Sequence, residues 1–318
     1  MSAACVLVTG SSGYLGSQVV AALAARSDIA TVALDVRVPA QRLEGVSYEV
    51  ADIRSPEVDA IVARHRPQVV VHLASIVTPG KDSNREFEYS VDVGGTRNLL
   101  EACLSHHVQR VIVSSSGAAY GYHADNPPWL GESDPLRGNQ SFAYSWHKRL
   151  VEEMLAEYRV SQPQLQQVVF RIGTILGATV HNQITDLFEK PRLIAIRGAV
   201  SPFVFIHDQD VVGAIVQGVD SKVTGIFNVA GDGKLSIHEI AARLGKKCVV
   251  FPPGALQAAL WLLKKLGLTQ YGPEQIDFLR YRPVLDNRRL KEEFGYVPKL
   301  SSAEVFELWR SSRRQKVA

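Results

Sequence analysis

From residue 5 to about residue 172, short runs of β-branched and aliphatic residues alternate with longer stretches whose apolar positions recur every three or four residues. That rhythm predicts strands over Cys5–Thr9, Thr31–Asp35, Val46–Val50, Val69–Leu73, Arg110–Ser115 and Gln167–Arg171, each apolar through its middle, as strands buried on both faces are. Helices fill the intervals. Ser55-Pro56 supplies an N-cap and a first-turn proline for a helix ending near Arg64, and the helical period marks two longer helices over 84–106 and 142–159. The alternation predicts an α/β fold: a doubly wound parallel sheet covered by helices on both faces.

After Arg171 the rhythm changes. Pro191, Pro202, Pro252, Pro253, Pro273 and Pro283 interrupt longer irregular stretches. Val204–Ile206 and Ile226–Val229 read as strands flanking a helix over 209–219, a return to the sheet. The expected division is therefore a first domain over 1–173, with 203–230 returning to it, and a smaller, interleaved C-terminal substrate-binding lobe over 174–318. Ser236 with Glu239, and Ser301 with Glu304, fit capping boxes that start two late helices. Ala255–Leu268 reads as an amphipathic helix interrupted by Gln257, Lys264 and Lys265, too short and too polar to cross a bilayer. Packing against the core or the cleft is its expected role. The early apolar run Ala3–Val8 has no preceding basic residues and stops at Thr9-Gly10, which marks a buried first strand and not a secretion signal.

Composition narrows the class. The 318 residues are 46% hydrophobic and 21% charged, an ordinary globular mix with ample material for a core. A net charge of +3 is too small and too scattered for a nucleic-acid surface. Cys5, Cys103 and Cys248 are widely spaced and read as reduced thiols of a cytoplasmic protein, and the nine histidines show no metal-ligand spacing, so no metal is expected.

Chemistry first appears in Thr9-Gly10-Ser11-Ser12-Gly13-Tyr14-Leu15-Gly16, placed directly after the first strand and opening a helix. Glycines there permit a tight turn and let backbone N–H groups approach a pyrophosphate at the helix N-terminus. The second strand ends in Asp35, close to the spacing expected of an acid that accepts hydrogen bonds from an adenosine ribose. Its charge repels a 2′-phosphate and favours NAD, while Arg37 offers the alternative, a partner for the 2′-phosphate of NADP. Further along, Tyr144 and Lys148 stand one turn apart on the predicted helix over 142–159. A tyrosine titrating near ~10 needs a neighbouring positive charge to move protons at neutral pH, and Lys148 supplies one. The preceding strand ends in Ser114-Ser115-Ser116, at the end of the sheet where ligands bind.

With these residues the chain resembles the short-chain dehydrogenase/reductase superfamily, in its extended branch of NAD-dependent epimerases, dehydratases and hydroxysteroid-type dehydrogenases. The resemblance runs through TGSSGYLG at 9–16, Asp35, Asp52-Ile53, His72-Leu73-Ala74-Ser75, Asp92-Val93-Gly94-Gly95-Thr96, SSSGAAYG at 114–121 and YSWHK at 144–148. It implies a Rossmann domain and a catalytic set of Ser116, Tyr144 and Lys148. It also implies a cofactor site drawn from Gly10, Gly13, Tyr14, Leu15, Gly16, Asp35, Arg37, Asp52, Ile53, Leu73, Ala74, Ser75, Asp92, Ser114, Tyr144, Lys148 and Ile172. Asp52 and Ile53 would border the adenine, and Lys148 would also bind the nicotinamide ribose. A homodimer through a four-helix bundle of the helices over 84–106 and 142–159 follows from the same resemblance.

The pattern departs from sugar-nucleotide members at three places. Thr174 and Ile175 stand at the Asn-Pro positions, Phe203-Val204 stand at the Arg-Asp pair before Phe205-Ile206-His207, and Asp92 replaces an Asn. The first two remove phosphate contacts, although Arg192, Arg197, Arg280 and Arg282 remain to compensate. Phe203, Phe205, Phe251, Trp261 and Tyr271 are the aromatic candidates for lining the substrate cleft, and Lys81 lies in a candidate substrate loop. Three functions compete: an epimerase or dehydratase acting on a small molecule such as a nucleotide-sugar or related polyol, a net NAD(P)-dependent reductase of hydroxysteroid or aldehyde/ketone type, and a non-catalytic dinucleotide sensor.

Overall fold

The computed structural model describes residues 3–77, 83–267, 272–273 and 275–315; Lys81, Leu268 and Tyr271 lie outside the described residues. The first six strands are β1 (Ala4–Thr9), β2 (Ile29–Asp35), β3 (Val46–Val50), β4 (Val69–His72), β5 (Arg110–Ser116) and β6 (Gln166–Ile172). Four short strands follow, β7 (Thr174–Leu176), β8 (Arg192–Ile196), β9 (Pro202–Phe203) and β10 (Phe205–His207), then β11 (Gly225–Val229), β12 (Leu235–Ser236) and β13 (Lys247–Phe251). Among the described residues, seven strands form one sheet in the order β11-β6-β5-β4-β1-β2-β3, every pair parallel. This is the doubly wound, Rossmann-type α/β fold. Its strand order reverses between β1 and β4, and the crevice outside that switch point is where such sheets bind ligands.

The helices of the first half are α1 (Tyr14–Ala24), α2 (Glu57–His65), α3 (Arg85–Tyr89), α4 (Gly95–Ser105) and α5 (Ala143–Ser161). The second half adds α6 (Gln183–Glu189), α7 (Asp208–Asp220), α8 (Ile237–Leu244), α9 (Pro253–Lys265), α10 (Gln275–Arg280), α11 (Arg288–Glu292) and α12 (Ser302–Gln315). Successive side chains of β1 point to opposite faces of the sheet. Val6 and Val8 enter the core beneath α1, α7 and α11, while Leu7 enters the one beneath α2, α4 and α5. A third core gathers Phe188, Phe203, Phe205, Phe306 and Trp309 in the C-terminal part. Each such side chain, fully withdrawn from water, contributes on the order of 1.5–3 kcal/mol.

Three expectations change. The helix predicted over 84–106 is divided: α3 passes into a wider, π-type turn at Ser90–Gly94 before α4 begins. A π-type turn holds an extra residue, and Asp92 sits in this one, turned into the protein interior. The predicted strand Val204–Ile206 is found as β10, and it pairs with β7 in a separate two-stranded ladder while β11 joins the main sheet beside β6. The amphipathic helix over 255–268 is α9, and it has no buried residue; Trp261, Leu262 and Leu266 are more than half exposed. Its apolar side is therefore not the core-packing or cleft-lining face expected of it. The two capping boxes form as read, with Glu239 accepting from the Ser236 N–H at 2.7 Å and Glu304 from the Ser301 N–H at 2.8 Å. No helix among the described residues is long and apolar enough to cross a membrane.

A buried polar seam ties α5 to the sheet. Glu152 pairs with Arg171 of β6 at 2.7 Å and accepts a hydrogen bond from Ser115 of β5, with the Glu152 and Arg171 side chains almost wholly shielded from water. Arg171 also donates to the Tyr120 hydroxyl at 2.8 Å and to the Glu132 carbonyl at 3.0 Å. Removing one partner strands the other charge in a low-dielectric interior. Glu152→Ala is therefore expected to cost about 3–5 kcal/mol of stability, read as a lower urea midpoint than wild type; an unchanged midpoint would show that the pair bears no weight in the fold.

Candidate active site

The glycine turn is dictated by close approach. Gly10 follows β1 with φ +67°, and a Cβ there would lie 2.6 Å from the backbone nitrogen of Ala74 beyond β4. At Gly16 a Cβ would come within 2.0 Å of the Gly10 carbonyl oxygen. Only glycine lets α1 start this close to the switch point. Asp35, at the end of β2, accepts from the Ser12 N–H at 2.9 Å and from the Arg37 N–H at 3.2 Å, while the Arg37 side chain is exposed. Tyr14 reaches the other way, donating to Asp208 and lying 3.2 Å from Thr179 Oγ1. Burial and the Asp208 hydrogen bond push its phenol up to about 12.

A cleft of about 430 Å³ opens above the strand ends. It brings together Gly10, Gly13, Tyr14, Leu15, Gly16, Leu73, Ser75, Ser114, Ser116, Tyr144, Lys148 and Ile172 from the residues singled out in the sequence. Asp35, Arg37, Asp52, Ile53, Ala74 and Asp92 lie outside its lining. Asp52 is held by Arg54 at 2.6 Å, and Ile53 is buried beneath Gly95, whose Cβ would meet its Cγ2 at 2.4 Å.

Tyr144 and Lys148 project from α5, and the Lys148 ammonium lies 5.7 Å from the Tyr144 ring centre. Lys148 Nζ donates to the Ser114 carbonyl at 2.9 Å, so β5 fixes its position. Ser116 Oγ accepts from the Ala118 N–H at 3.1 Å. Burial raises the Tyr144 phenol, opposed by a hydrogen bond with Ser116. Burial also lowers Lys148, opposed by the charges of Asp92 and Glu152. Both shifts favour the neutral forms, as desolvation dictates.

Beneath the lysine lies a second polar group. Asp92 accepts from the Ile76 N–H at 2.9 Å and faces His147 Nδ1 at 3.4 Å. Burial alone would raise this carboxyl, but His147, the Lys148 charge and the Ile76 N–H together leave it below its ordinary value. These are the partners that a buried aspartate at this position requires. His72, at the end of β4, bridges Thr9 Oγ1 at 2.7 Å and Thr96 Oγ1 at 2.9 Å. Sequence reasoning missed His147 and Thr96 as supports of the site, because only the π-type turn brings Asp92 onto the same side as α5.

Residues 6–230 match the model of the NAD dependent epimerase/dehydratase family. The chain belongs to that family. It is 25% identical over 308 residues to an uncharacterised protein of Mycobacterium tuberculosis, covering 95% of this chain and 82% of the relative. It is 29% identical over 265 residues to a 3-diazoavenalumate denitrifying reductase of a Streptomyces species, covering 80% and 85%. A UDP-glucose 4-epimerase of Thermus thermophilus, solved in complex with NAD, superposes with a TM-score of 0.73 at 24% identity, covering 98% of this chain and 99% of that one.

In this member of the epimerase/dehydratase family the aromatic lining of the cleft differs from the sequence expectation. Phe203 and Phe205 are buried in the third core, Phe251 lies in β13 away from the cleft, and Trp261 is exposed on α9. The aromatic wall is instead made by Tyr122, Phe142 and Phe278. Phe278 lies 5.0 Å from Tyr122 and 5.5 Å from Phe142, ring centre to ring centre, and Phe142 is 6.2 Å from Tyr144. Of the four compensating arginines, Arg282 is the one that lines the cleft. Periodicity gave no signal for Tyr122, Phe278 and Arg282, which sit in loops and in the short helix α10, and it took Phe142, which stands just before α5, only as the start of a helix.

Buried among these groups, His72 has a pH signature. Burial, reinforced by the Lys148 charge, holds the imidazole down to about 3, below its unfolded value near ~6.5. Its contribution is therefore fully present above pH ~6.5 and is lost as the pH falls towards its folded pKa, at about 1.4 kcal/mol per pH unit. Urea unfolding of wild type and His72→Gln at pH 7 and pH 4.5 is expected to show a markedly smaller acid loss in the variant; equal losses would remove His72 as the acid-sensitive group.

Proposed function

We propose that this protein is an NAD-dependent enzyme of the epimerase/dehydratase type, exchanging hydride with a carbinol carbon of a small-molecule substrate. The observation that carries the reading is the convergence of Tyr144, Lys148 and Ser116 on the same cleft as the Gly10–Gly16 turn. The residues present fit the cofactor, since the space that a Cβ at Gly10 or Gly16 would need is already taken by backbone, as a turn pressed against a pyrophosphate requires. Gly10, Gly13 and Gly16 with the α1 N-terminus would hold the pyrophosphate, and Asp35 the adenosine ribose. Leu73, Ala74, Ser75 and Ile172 would flank the centre, and Lys148 the nicotinamide ribose. Asp35 favours NAD over NADP, in keeping with the NAD in the Thermus enzyme. When bound, NAD supplies a hydride acceptor and a positive charge in the cleft. Ser116 holds the substrate oxygen, Tyr144 moves its proton, and Lys148 keeps the phenolate accessible. A positioned acid–base group of this kind contributes about 10²–10⁴-fold.

The test begins by denaturing protein purified without added cofactor and counting the nicotinamide dinucleotide released. About one NAD per chain supports a redox-neutral cycle that regenerates its cofactor. Tyr144→Phe should keep wild-type NAD affinity and lose turnover about 10²–10⁴-fold; unchanged turnover would end the role assigned to Tyr144. A net oxidoreductase is the second reading, favoured by the aromatic wall and by the likeness to the Streptomyces reductase. An empty site that binds NAD(P)H reversibly and consumes it in bulk would decide for that reading.

We also infer a homodimer in which α3, α4 and α5 pair with their copies, a reading supported by the family's habit and by the exposed Phe87 and Tyr89 of α3. Sedimentation at micromolar concentration is expected to give twice the chain mass; a monomer would refute it.

A further inference from the structure

Arg282 stands out among the cleft residues because its charge meets no counter-ion: among the described residues, no carboxylate lies within ion-pair distance of it. Its guanidinium lies between two rings, 4.3 Å from the centre of Phe203 and 4.6 Å from that of Phe278. Nη2 makes one long contact, 3.4 Å to Thr174 Oγ1, and Nη1 is shut off from water with no hydrogen-bond partner. A buried guanidinium without a partner is costly, and an anion that reaches it offsets that cost. Burial lowers its pKa, in the direction expected of a cation awaiting its counter-charge.

The surroundings define the anion. A nucleoside diphosphate carries two or more charges and calls for several cationic or amide donors. Here Thr174 and Ile175 stand at the Asn-Pro positions, the cationic side chains of the lining are Lys148 and Arg282, and the rings of Phe203 and Phe278 lie against Arg282; His181, Asn182 and Gln183 also line the cleft, with the Asn182 amide already engaged by the Ile175 carbonyl and the Ile184 and Thr185 N–H groups. One planar guanidinium suits one planar carboxylate, held by two parallel hydrogen bonds. From Arg282 the rings of Phe278 and Phe142 run on to Tyr144, each tilted against the next, an apolar aromatic wall between the cation and the proposed proton-transfer group. We propose that Arg282, with Thr174 beside it, anchors the carboxylate of a substrate whose body is apolar and aromatic, the reacting carbinol or carbonyl lying at the Tyr144 end. The inference rests on the assignment of Tyr144 made above and names the substrate class for that site.

Calorimetric titration of the NAD-loaded protein with trans-cinnamate, its neutral isostere cinnamamide, and UDP tests it. The wild type is expected to bind cinnamate at least about tenfold more tightly than cinnamamide, the range in which a charge-assisted pair exceeds a neutral one. Arg282→Met should bring cinnamate down to the cinnamamide level while NAD affinity stays within about twofold, and Arg282→Lys should fall between. Unmeasurable cinnamate binding by the wild type, equal affinities for cinnamate and cinnamamide, an Arg282→Met variant as tight as wild type, or UDP binding that excludes cinnamate and needs Arg282 would each overturn the proposal. The cinnamate and cinnamamide comparison needs only wild-type protein, so it holds even where the methionine variant does not fold. Failure of the functional reading shows up separately, as absent NAD binding or as full turnover in Tyr144→Phe, and the same titrations without NAD still read Arg282.

Discussion

The position of helix α5 is set by polar contacts that cannot be left half made. Ser145, Lys148 and Glu152 fall at three- and four-residue spacing, so they share one face of the helix. Ser145 donates to the Ala118 carbonyl at 2.6 Å, Lys148 to the Ser114 carbonyl at 2.9 Å, and Glu152 takes both Ser115 and Arg171. An apolar seam tolerates small slides and rotations, because dispersion contacts are weak singly and interchangeable. A buried hydrogen bond or ion pair does not, because each broken link leaves a desolvated polar group. The seam therefore fixes the rotation and the height of α5 on the sheet, and with them the place of Tyr144 beside Ser116. Much of what looks like catalytic geometry is a consequence of how one helix is seated.

Beside the seam, a neighbouring face of α5 carries a charge-bearing support. His147, next to Lys148 in sequence, points towards Asp92, and Asp92 reaches it because the π-type turn interrupts the helix between α3 and α4. A regular helix over 84–106 would carry residue 92 on a different bearing. The local irregularity and the unusual acid are thus one feature. An aspartate buried here needs donors, and the turn delivers it to the Ile76 N–H and His147 while holding its charge near Lys148.

The strands and long helices were legible because doubly buried strands are apolar throughout and the helices carry a 3.6-residue stripe; six expected strands recur as β1 to β6 within a residue or two. The glycine turn was legible for a steric reason, since no other residue fits at Gly10 or Gly16. Periodicity ran out where function needs irregularity. It passed through the π-type turn without a signal and gave β10 the wrong neighbour, while the aromatic content of the second lobe offered Phe203 and Phe205 as cleft residues, which the third core absorbs. It also assigned α9 a buried face, since a helical stripe reports amphipathicity and says nothing of what will cover it. Tyr122, Phe142 and the Phe278–Arg282 segment come from three separate places in the chain, and only the folded topology collects them.

Electrostatics then links the two ends of the cleft. At the Tyr144 end, burial presses Tyr144 and Lys148 towards their neutral forms, so the site resists forming a phenolate by itself. In the function proposed above, a cationic nicotinamide ring beside Tyr144 would reverse that bias and make proton movement conditional on an oxidised cofactor. At the far end, Arg282 keeps a positive charge among aromatic faces, partly stabilised by their quadrupoles and short of a counter-ion. An anionic group at that end offsets the desolvation of the guanidinium, and the aromatic wall leaves little freedom in how the rest of the molecule lies. Orientation would then come from one strong contact at a distance from the reacting bond, the arrangement in which remote binding energy is used to place a substrate for chemistry.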